Sequence, residues 1–487
     1  MMRRRPLGAW WAVIGAVVSL GTLSGPALAV TAAKPEGEMW LVDFESDIPH
    51  GTRAQRGAIQ RMEDGSAAVG KGCLRYRLPS RLDSRSCLVL PLPAGLSVPR
   101  DGKLSVWVKT RGSEQPAHLR WFALDANDRP LFQRRSRLDK GAGWKRLEWD
   151  VFQWRWGNRH VGDWSEVKAI AILAESDVRE LWLDEIRLVT SNAPSLPASV
   201  ASPEQWLAGI AFEDRETRVL VSEDFVIFTD AVKEIGEPEM EQLYGQVLRV
   251  RSWARRQFGD AVRPVADATP AKFLIFRDKQ NYVAFFRALG EQWECSISPP
   301  RGEGYTVQDI SACPYDPGYG IDCPVFLHEA VHGVVTRDLR VPTCTAEHSW
   351  LQEGLANYLQ LCVYPESTDR GVYVRNFQRP IGRKSFFRPL REICRRRVRP
   401  RDYAQVASLV AFLVAERPDW LREIAGGLAR HRELDAILAE LGTDLPHLEQ
   451  LWLAWGRKAF APDADPPEGE GTHFPLPREW QPQPAEG

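Results

Sequence analysis

The first part of the chain alternates between apolar and polar residues, which predicts β-strands. Between residues 39 and 190 this period of two recurs in short segments, among them 104–109, 119–124, 144–149 and 180–188. Asn, Asp, Gly and Pro residues separate the segments, and no long helical period intervenes. Many short strands bounded by turn residues are typical of a β-sandwich. We therefore expect an all-β, jelly-roll-like sandwich over residues 38–191.

The second part of the chain has a different pattern. A Ser/Pro/Ala-rich stretch begins after the last strand and predicts a linker over residues 192–217. Predicted strands follow at 218–229, 271–276 and 304–310, with helices at 237–258 and 280–289, and helical periodicity from 403 to about 460. Strands followed by helices, without regular alternation, indicate an α+β domain over 218–462. The Pro- and Glu-rich tail, 463–487, is predicted to be disordered.

The amino terminus has the composition of a targeting segment. Three arginines at positions 3–5 precede an apolar run from 7 to 23 and the sequence Ala27-Leu28-Ala29. This order predicts a secretory signal peptide over 1–29, and an uncleaved membrane anchor is the alternative. No second stretch is as long and as apolar, so no membrane span is expected in the mature chain. The expected location is secreted, periplasmic or in the cell envelope.

Charge and cysteine content narrow the possibilities further. The net charge is −1, so no nucleic-acid partner is expected. Eight cysteines lie beyond the signal segment, and an even number in an exported chain favours disulfides. Cys323 and Cys344 lie on either side of the motif segment described next, so a disulfide between them is a candidate. The pairing does not follow from the sequence.

One short motif carries the chemistry. His328, Glu329 and His332 form a His-Glu-x-x-His run, and Glu353 follows in a second predicted helix. Residues four apart on a helix share one face, so both imidazoles can reach one metal ion at ~2.0–2.1 Å. Two histidines and one carboxylate leave a fourth position open, which is typical of a catalytic zinc site. The sequence therefore predicts zinc bound by His328, His332 and Glu353, with Glu329 as general base.

The residues around the motif predict a buried helix. Apolar residues flank it at 325–327 and 330–335, and we expect Asp322 to cap the helix, with Pro324 in its first turn. A buried helix is a rigid place for a metal site. The alternative is a pair of core histidines beside a surface glutamate.

The motif, followed by Trp350, Glu353, Gly354 and Ala356, resembles the gluzincin metallopeptidases, a peptidase MA-like group related to thermolysin and aminopeptidase N. The resemblance covers residues 218–462 and implies a zincin-type fold and a peptide or protein substrate. It implies that the strand before the motif is a sheet edge that pairs with extended substrate. It also makes Tyr403 the candidate oxyanion donor, with a buried structural tyrosine as the alternative.

Two departures from that family limit the comparison. No Gly-x-Met-x-Asn segment precedes the motif, so aminopeptidase activity is not implied. Asn357 stands where thermolysin-like enzymes have an aspartate that orients a ligand histidine. Its amide oxygen can accept a hydrogen bond from an imidazole, but carries no charge to raise ligand basicity.

Two further segments are candidates for binding. The sandwich resembles galactose-binding-like carbohydrate-binding modules at its first and last strands, which implies a glycan as candidate partner. The loop 154–159, which contains two tryptophans, is the candidate surface, with core packing as the alternative. The arginine cluster at 395–401 is either a solvated loop or a site for an acidic group of the substrate.

The predicted protein is thus multi-domain, an all-β sandwich followed by an α+β zincin-type metallopeptidase domain. The expected function is hydrolysis of peptide bonds by an exported zinc enzyme. Two alternatives are a non-catalytic envelope binding protein that retains a peptidase-like fold, and a zinc amidase that acts on cell-wall peptide. An intact Glu329 favours catalysis, because a binding scaffold needs no general base.

Overall fold

The computed structural model describes residues 38–459, apart from short gaps at 64, 80–85, 97, 100–101, 114, 142, 158–160, 176–177, 190–201, 214, 224, 262–269, 296, 298–301, 344 and 365–387. The predicted signal segment, 1–29, and the predicted disordered tail, 463–487, lie outside these residues. Within the described ranges, no helix combines the length and apolarity needed to span a membrane.

The first part of the chain forms two antiparallel six-stranded sheets that share one core. Its strands are β1 (Glu38–Val42), β2 (Arg53–Ala54), β3 (Ala58–Met62), β4 (Cys73–Arg77), β5 (Cys87–Pro91), β6 (Lys103–Arg111), β7 (Ala117–Leu124), β8 (Pro130–Leu138), β9 (Lys145–Asp150), β10 (Arg155–Trp156), β11 (Ala169–Ala174) and β12 (Glu180–Val189). One sheet has the order β3-β4-β12-β6-β9, with β1 beside β12, and the other has the order β10-β8-β7-β11-β5-β2. The prediction of a β-sandwich is confirmed.

The tryptophan loop that is the candidate glycan-binding surface contributes Trp154 to this core. Trp154 is only 3% exposed, and its ring contacts Trp149 and Trp164 edge-on. The next two residues form β10, which pairs with β8, so this part of the loop is a strand. Trp154 is therefore unavailable for stacking on a ligand, and of the two interpretations of the loop, core packing holds for this residue. The end of the loop, 158–160, lies outside the described residues.

The second part of the chain forms a mixed five-stranded sheet with helices on both faces. Its strands are β13 (Arg218–Val221), β14 (Phe225–Thr229), β15 (Ala271–Phe276), β16 (Tyr305–Val307) and β17 (Ile310–Pro314). The helices that the structure describes are α1 (Pro203–Phe212), α2 (Glu237–Phe258), α3 (Lys279–Gln292), α4 (Pro324–Leu339), α5 (Ser349–Val363), α6 (Leu390–Ile393), α7 (Tyr403–Glu416), α8 (Pro418–Ala429), α9 (Leu434–Glu440) and α10 (Leu445–Ala459).

The sheet order, β13-β14-β15-β17-β16, follows from two crossovers. Helix α2 joins the parallel strands β14 and β15, and α3 joins β15 to the β16–β17 hairpin. Every residue of β14 and β15 is buried, because helices cover both faces of these central strands. Helices α1 and α3 pack on one face, and α2 and α4 pack on the other. This arrangement places α4 under the sheet, close to β17 and β16.

Two segments differ from the sequence prediction. The predicted linker contains α1, which begins with a capping box between Ser202 and Gln205 and packs Leu207 and Phe212 into the core. The stretch before this helix is rich in Ser, Pro and Ala, and its composition led to the prediction of a linker. The single strand predicted over 304–310 is instead the β16–β17 hairpin, which reverses at Gln308 with φ of 59°.

Four cysteines among the described residues give no support to the predicted disulfides. Cys295, Cys313, Cys323 and Cys394 form no disulfide. Burial raises the pKa of Cys323 to about 11. Its suggested partner, Cys344, lies outside the described residues. Disulfide formation stays a prediction that thiol alkylation of the denatured protein tests.

Candidate functional site

Helix α4 carries the His-Glu-x-x-His motif and is almost wholly buried. It contacts β17 and β15 above it and α5 and α2 beside it. Pro324 occupies its first turn as predicted, but the residue at the cap position is Cys323. Asp322 does not cap the helix, because its carboxylate accepts a hydrogen bond from Gln242 of α2 at 2.8 Å. The helix is held mainly by its surroundings, which suits a site that must stay rigid.

The predicted metal ligands come together at one point between α4 and α5. The Nε2 atoms of His328 and His332 are 3.2 Å apart. The Oε2 atom of Glu353 lies 3.4 Å from the first and 3.7 Å from the second. Among the described residues, these three form the one group of His, Cys, Asp or Glu side chains arranged to hold a metal ion.

The geometry of this triangle fits a zinc ion. Four tetrahedral ligands at ~2.0–2.1 Å from zinc are separated from one another by ~3.3–3.4 Å, close to the three observed separations. The Oε2 atom of Glu353 is buried without a hydrogen-bond partner. A buried carboxylate oxygen left in this state is costly, and a cation at the centre of the triangle would compensate it. The residues present therefore fit the predicted cofactor.

Two glutamines of α5 hold the imidazoles. The Nδ1 atom of His332 donates to Oε1 of Gln352 at 3.0 Å, and that of His328 donates to Oε1 of Gln360 at 3.1 Å. The amide nitrogen of Gln352 donates to the Thr336 hydroxyl at 3.1 Å and to the carbonyl of Val341. The Gln352 oxygen is thus turned towards His332, and each Nε2 lone pair is turned towards the metal position.

These glutamines take the role that the sequence analysis considered for Asn357. The amide nitrogen of Asn357 donates to the backbone carbonyl of Glu353 at 2.7 Å, within α5. The signal for the glutamines was present in the sequence, because Gln352 precedes Glu353 and Gln360 follows it by two helical turns in a largely apolar segment. Buried polar residues in an apolar helix need partners, and here the partners are the metal ligands.

Charge is concentrated in the same triangle. Burial disfavours a protonated His332, but attraction to the negative charge of Glu353 outweighs burial and raises the pKa of His332 to about 9. Burial also opposes ionisation of Glu353, yet the two imidazoles hold the pKa of its carboxyl well below the usual range. The site thus holds an anionic carboxylate opposite a cationic position. A metal ion would take over that position from the proton.

Glu329 points towards the hairpin strand β16. Its Oε2 atom accepts a hydrogen bond from the hydroxyl of Thr306 at 2.6 Å, and its backbone carbonyl accepts one from Ser311 at 2.8 Å. A side chain at Gly304 would not fit, because its Cβ atom would lie 2.5 Å from Cγ of Glu329. The hairpin therefore holds the carboxylate of the predicted general base. Thr306 was not identified from the sequence.

Tyr403 lies beside the metal ligands. It begins α7, and its ring centroid is 5.9 Å from that of His328, tilted by 34°. The residue is half-buried against the large core of this domain. The structure therefore brings Tyr403 to the predicted site together with the three ligands and Glu329. Its role as an oxyanion donor stays a prediction.

The arginine cluster at 395–401 forms surface ion pairs. Arg395 pairs with Asp435, and Arg396 pairs with Glu392 at 2.6 Å. All four side chains are at least 40% exposed, so these pairs are solvated. The solvated-loop interpretation fits these two arginines better than a substrate site does.

Comparison with known proteins gives no assignment for the whole chain. No protein-family model matches it, and no curated protein is found to be related. A xylan-binding domain, CBM22-1 of Paenibacillus barcinonensis Xyn10C, is similar at 17% identity over 33% of this chain and 97% of that domain, with a TM-score of 0.24. The family 11 carbohydrate-binding module of Clostridium thermocellum is similar at 15% identity over 32% of this chain and 96% of the module, with a TM-score of 0.24.

The K1 cleaved adhesin domain of Lys-gingipain from Porphyromonas gingivalis W83 is also similar, at 18% identity over 31% of this chain and 98% of that domain, with a TM-score of 0.22. Likeness at this level does not assign a function. What the protein does must be inferred from the residues of its own site.

Proposed function

We propose that the protein is an exported zinc-dependent metallopeptidase of the gluzincin type, with the active site between α4 and α5. The observation that carries the proposal is the triangle of His328, His332 and Glu353, whose ligand atoms are spaced as tetrahedral zinc requires. Three protein ligands leave one position open, and open sites are catalytic. The resemblance in sequence and the geometry in space thus support the same reading.

The residues of the site divide the work of hydrolysis. Zinc, when bound, supplies a Lewis acid that lowers the pKa of water and polarises the scissile carbonyl. Glu329 takes a proton from the attacking water and delivers it to the leaving amine. Thr306 holds the Glu329 carboxylate in one position while it does so. Tyr403 is the candidate donor to the developing oxyanion, because it reaches the site from a separate helix.

Strand β16 supports a peptide as the substrate. It is the last strand in the sheet order and pairs with β17 on one side. The Thr306 side chain in its middle faces Glu329, so the strand runs past the site. An extended peptide can add to such an edge by main-chain hydrogen bonds, which places its carbonyl groups beside the metal position. The sequence of the preferred peptide is not specified by these contacts.

Two alternatives use the same site differently. A non-catalytic binding scaffold would not need a buried, hydrogen-bonded Glu329, and this favours an enzyme. A zinc amidase that acts on cell-wall peptide would use the same residues on another amide. A digest of a proteome-derived peptide library and a parallel digest of purified peptidoglycan separate these two substrate classes.

Glycan binding by the sandwich is a separate proposal, with less support. The buried Trp154 removes the predicted stacking residue, and the likeness to carbohydrate-binding modules is weak. A broad glycan array probed with the full chain tests it, and absence of binding would leave the sandwich with a structural role.

Metal analysis tests the proposed centre first. We expect about one zinc per chain in the purified wild-type protein, and loss of the metal in His332→Ala. A suitable control is His447→Ala, which removes an exposed histidine of α10 and should leave the zinc content unchanged. Zinc-free wild-type protein that also fails to bind added zinc would refute the proposal.

A further inference from the structure

The end of the motif helix is tied to the β-sandwich. Arg340 follows the last residue of α4, and its guanidinium reaches across to a short turn of the sandwich at Trp164–Glu166. Its Nη2 atom lies 2.7 Å from Oδ2 of Asp163, and its Nη1 atom lies 2.6 Å from Oε1 of Glu166. The Asp163 side chain is only 1% exposed, so this is a partly buried, two-point contact between the domains.

The backbone at Arg340 is arranged for this contact. Its φ and ψ angles, 53° and 29°, lie in the left-handed region, where helix ends usually carry glycine or asparagine. An arginine adopts this conformation at an energetic cost, which the paired carboxylates offset. Asp163 is itself held in place, because its Oδ1 atom accepts hydrogen bonds from the Ser165 amide at 3.0 Å and the Ser165 hydroxyl at 2.7 Å.

The residue after Arg340 leads back to the metal site. Val341 is fully buried, and its carbonyl accepts a hydrogen bond from the amide nitrogen of Gln352. The same Gln352 accepts the hydrogen bond from Nδ1 of His332 at 3.0 Å. A shift of the turn at 340–341 would therefore move the Gln352 amide, and with it the imidazole that is to bind the metal.

We propose that the β-sandwich acts as a positioning domain for the metal centre, through the chain of contacts from Asp163 and Glu166 to Arg340, Val341, Gln352 and His332. Arg340 is then a positioning residue that touches neither metal nor substrate. The inference rests on the proposed function, because it concerns how tightly and in what geometry the zinc is held. It assigns the sandwich a role in the peptidase itself, apart from any ligand of its own.

The competing interpretation is that Arg340 only fastens the two domains together. The interpretations differ in what the arginine controls. A fastening contact changes stability alone, whereas a positioning contact changes metal affinity and ligand geometry. Loss of a partner that orients a metal ligand typically lowers metal affinity by about 10–100-fold.

The test is a double-mutant cycle on zinc affinity, measured in the full-length protein by competition with a chromophoric chelator. We expect Arg340→Ala to weaken zinc binding by about tenfold and Gln352→Ala by about 10–100-fold. Because the two residues act in series, the double variant should bind zinc no more weakly than Gln352→Ala alone. Cobalt-substituted Arg340→Ala should also show an altered visible absorption spectrum, because that spectrum reports ligand geometry.

One control variant and one second test variant complete the design. Arg135→Ala removes another contact between the domains, to the backbone carbonyl of Glu294 at 3.3 Å, and should leave zinc affinity within twofold of the wild type. Glu166→Ala is the second test variant. It removes the more exposed of the two carboxylates that Arg340 contacts, since Glu166 is 47% exposed, and Arg340 still pairs with the buried Asp163. This variant keeps the test decisive if Arg340→Ala fails to fold. It should weaken zinc binding by about threefold, less than the ~10–100-fold typical of losing a direct hydrogen-bond partner of a metal ligand.

The outcomes separate the two proposals. Unchanged zinc affinity and an unchanged cobalt spectrum in Arg340→Ala or Glu166→Ala would overturn the positioning role while the metal centre stands. Independent, additive effects of Arg340→Ala and Gln352→Ala would overturn the serial chain. Wild-type protein that binds no zinc would overturn the proposed function, and the positioning role with it.

Discussion

The hydrogen bond between Thr306 and Glu329 makes a specific prediction about catalysis. Thr306→Val removes the hydroxyl that donates to the carboxylate at 2.6 Å, and it keeps the shape of the side chain at a position only 7% exposed. The bond fixes the orientation of the general base, and a hydrogen bond to a charged group is worth about 1.5–3 kcal/mol. Without it, the carboxylate must be oriented at that cost in the transition state, and since about 1.4 kcal/mol changes a rate tenfold, kcat/KM should fall by about 10–150-fold. Thr306 is not a ligand, so the zinc content should not change.

The assay is the initial rate of hydrolysis of fluorescein-labelled casein, with zinc measured in the same samples. Thr306→Ser is the matched control, because it retains the hydroxyl and should keep most of the wild-type rate. The reasoning fails if Thr306→Val hydrolyses casein at more than half the wild-type rate with full zinc content. It also fails if Thr306→Ser loses as much activity as Thr306→Val does.

Three other predictions follow from the same structure. Arg251→Ala leaves the buried Asp338 without its bidentate partner and should lower the free energy of unfolding, measured in urea, by about 3–5 kcal/mol. Arg146→Ala breaks an exposed ion pair and should lower it by less than about 1 kcal/mol. Equal losses in the two variants would contradict the role of burial. Tyr403→Phe should lower kcat by about 10²–10³ at constant zinc content, and an unchanged kcat would exclude its oxyanion role. The pKa of His332, raised to about 9, keeps this imidazole protonated in the metal-free protein at neutral pH, so zinc uptake should release a proton and zinc affinity should rise with pH up to about 9. Calorimetry in buffers of different ionisation enthalpy measures that release, and none at pH 7 would contradict the assignment.

Local periodicity was enough to predict several elements. The helix predicted over 237–258 is α2, with the same bounds, because its apolar residues repeat at helical spacing and Gly236 and Gly259 flank it. The strand predicted over 271–276 is β15, which is an unbroken apolar run apart from Lys272. Both elements are specified by the pattern of residues within them, and this local pattern can be read from a single sequence.

The metal ligands were predicted for a similar reason. The separation of His328 and His332 by one helical turn is a local property, and it alone brings two imidazoles to one side of α4. The approach of Glu353 was implied by resemblance to a family, and the structure places its carboxylate 3.4 Å from His328. Thr306 had no such signal, because it reaches Glu329 only after the chain reverses at Gln308.

The contacts between domains were beyond the reach of sequence patterns. Arg340 and Asp163 are 177 residues apart, and neither belongs to a motif. The choice between a binding surface and core packing for Trp154 could not be made from the sequence, because nothing in the neighbouring residues shows that β10 pairs with β8. Helix α1 was missed because the stretch before it is rich in residues that also make linkers, and its stabilising contacts come from the distant helix α3. In each case a residue acquires its role from a partner remote in sequence.

The most direct test of the proposed function compares wild-type protein with Glu329→Gln. This substitution removes the general base and leaves His328, His332 and Glu353 in place. Zinc content and hydrolysis of a peptide library are measured on the same preparations. We predict about one zinc per chain in both proteins, cleavage by the wild type and no detectable cleavage by Glu329→Gln. Equal cleavage by the two proteins, or zinc-loaded wild-type protein that cleaves no peptide, would contradict the assignment of this site as a peptidase centre.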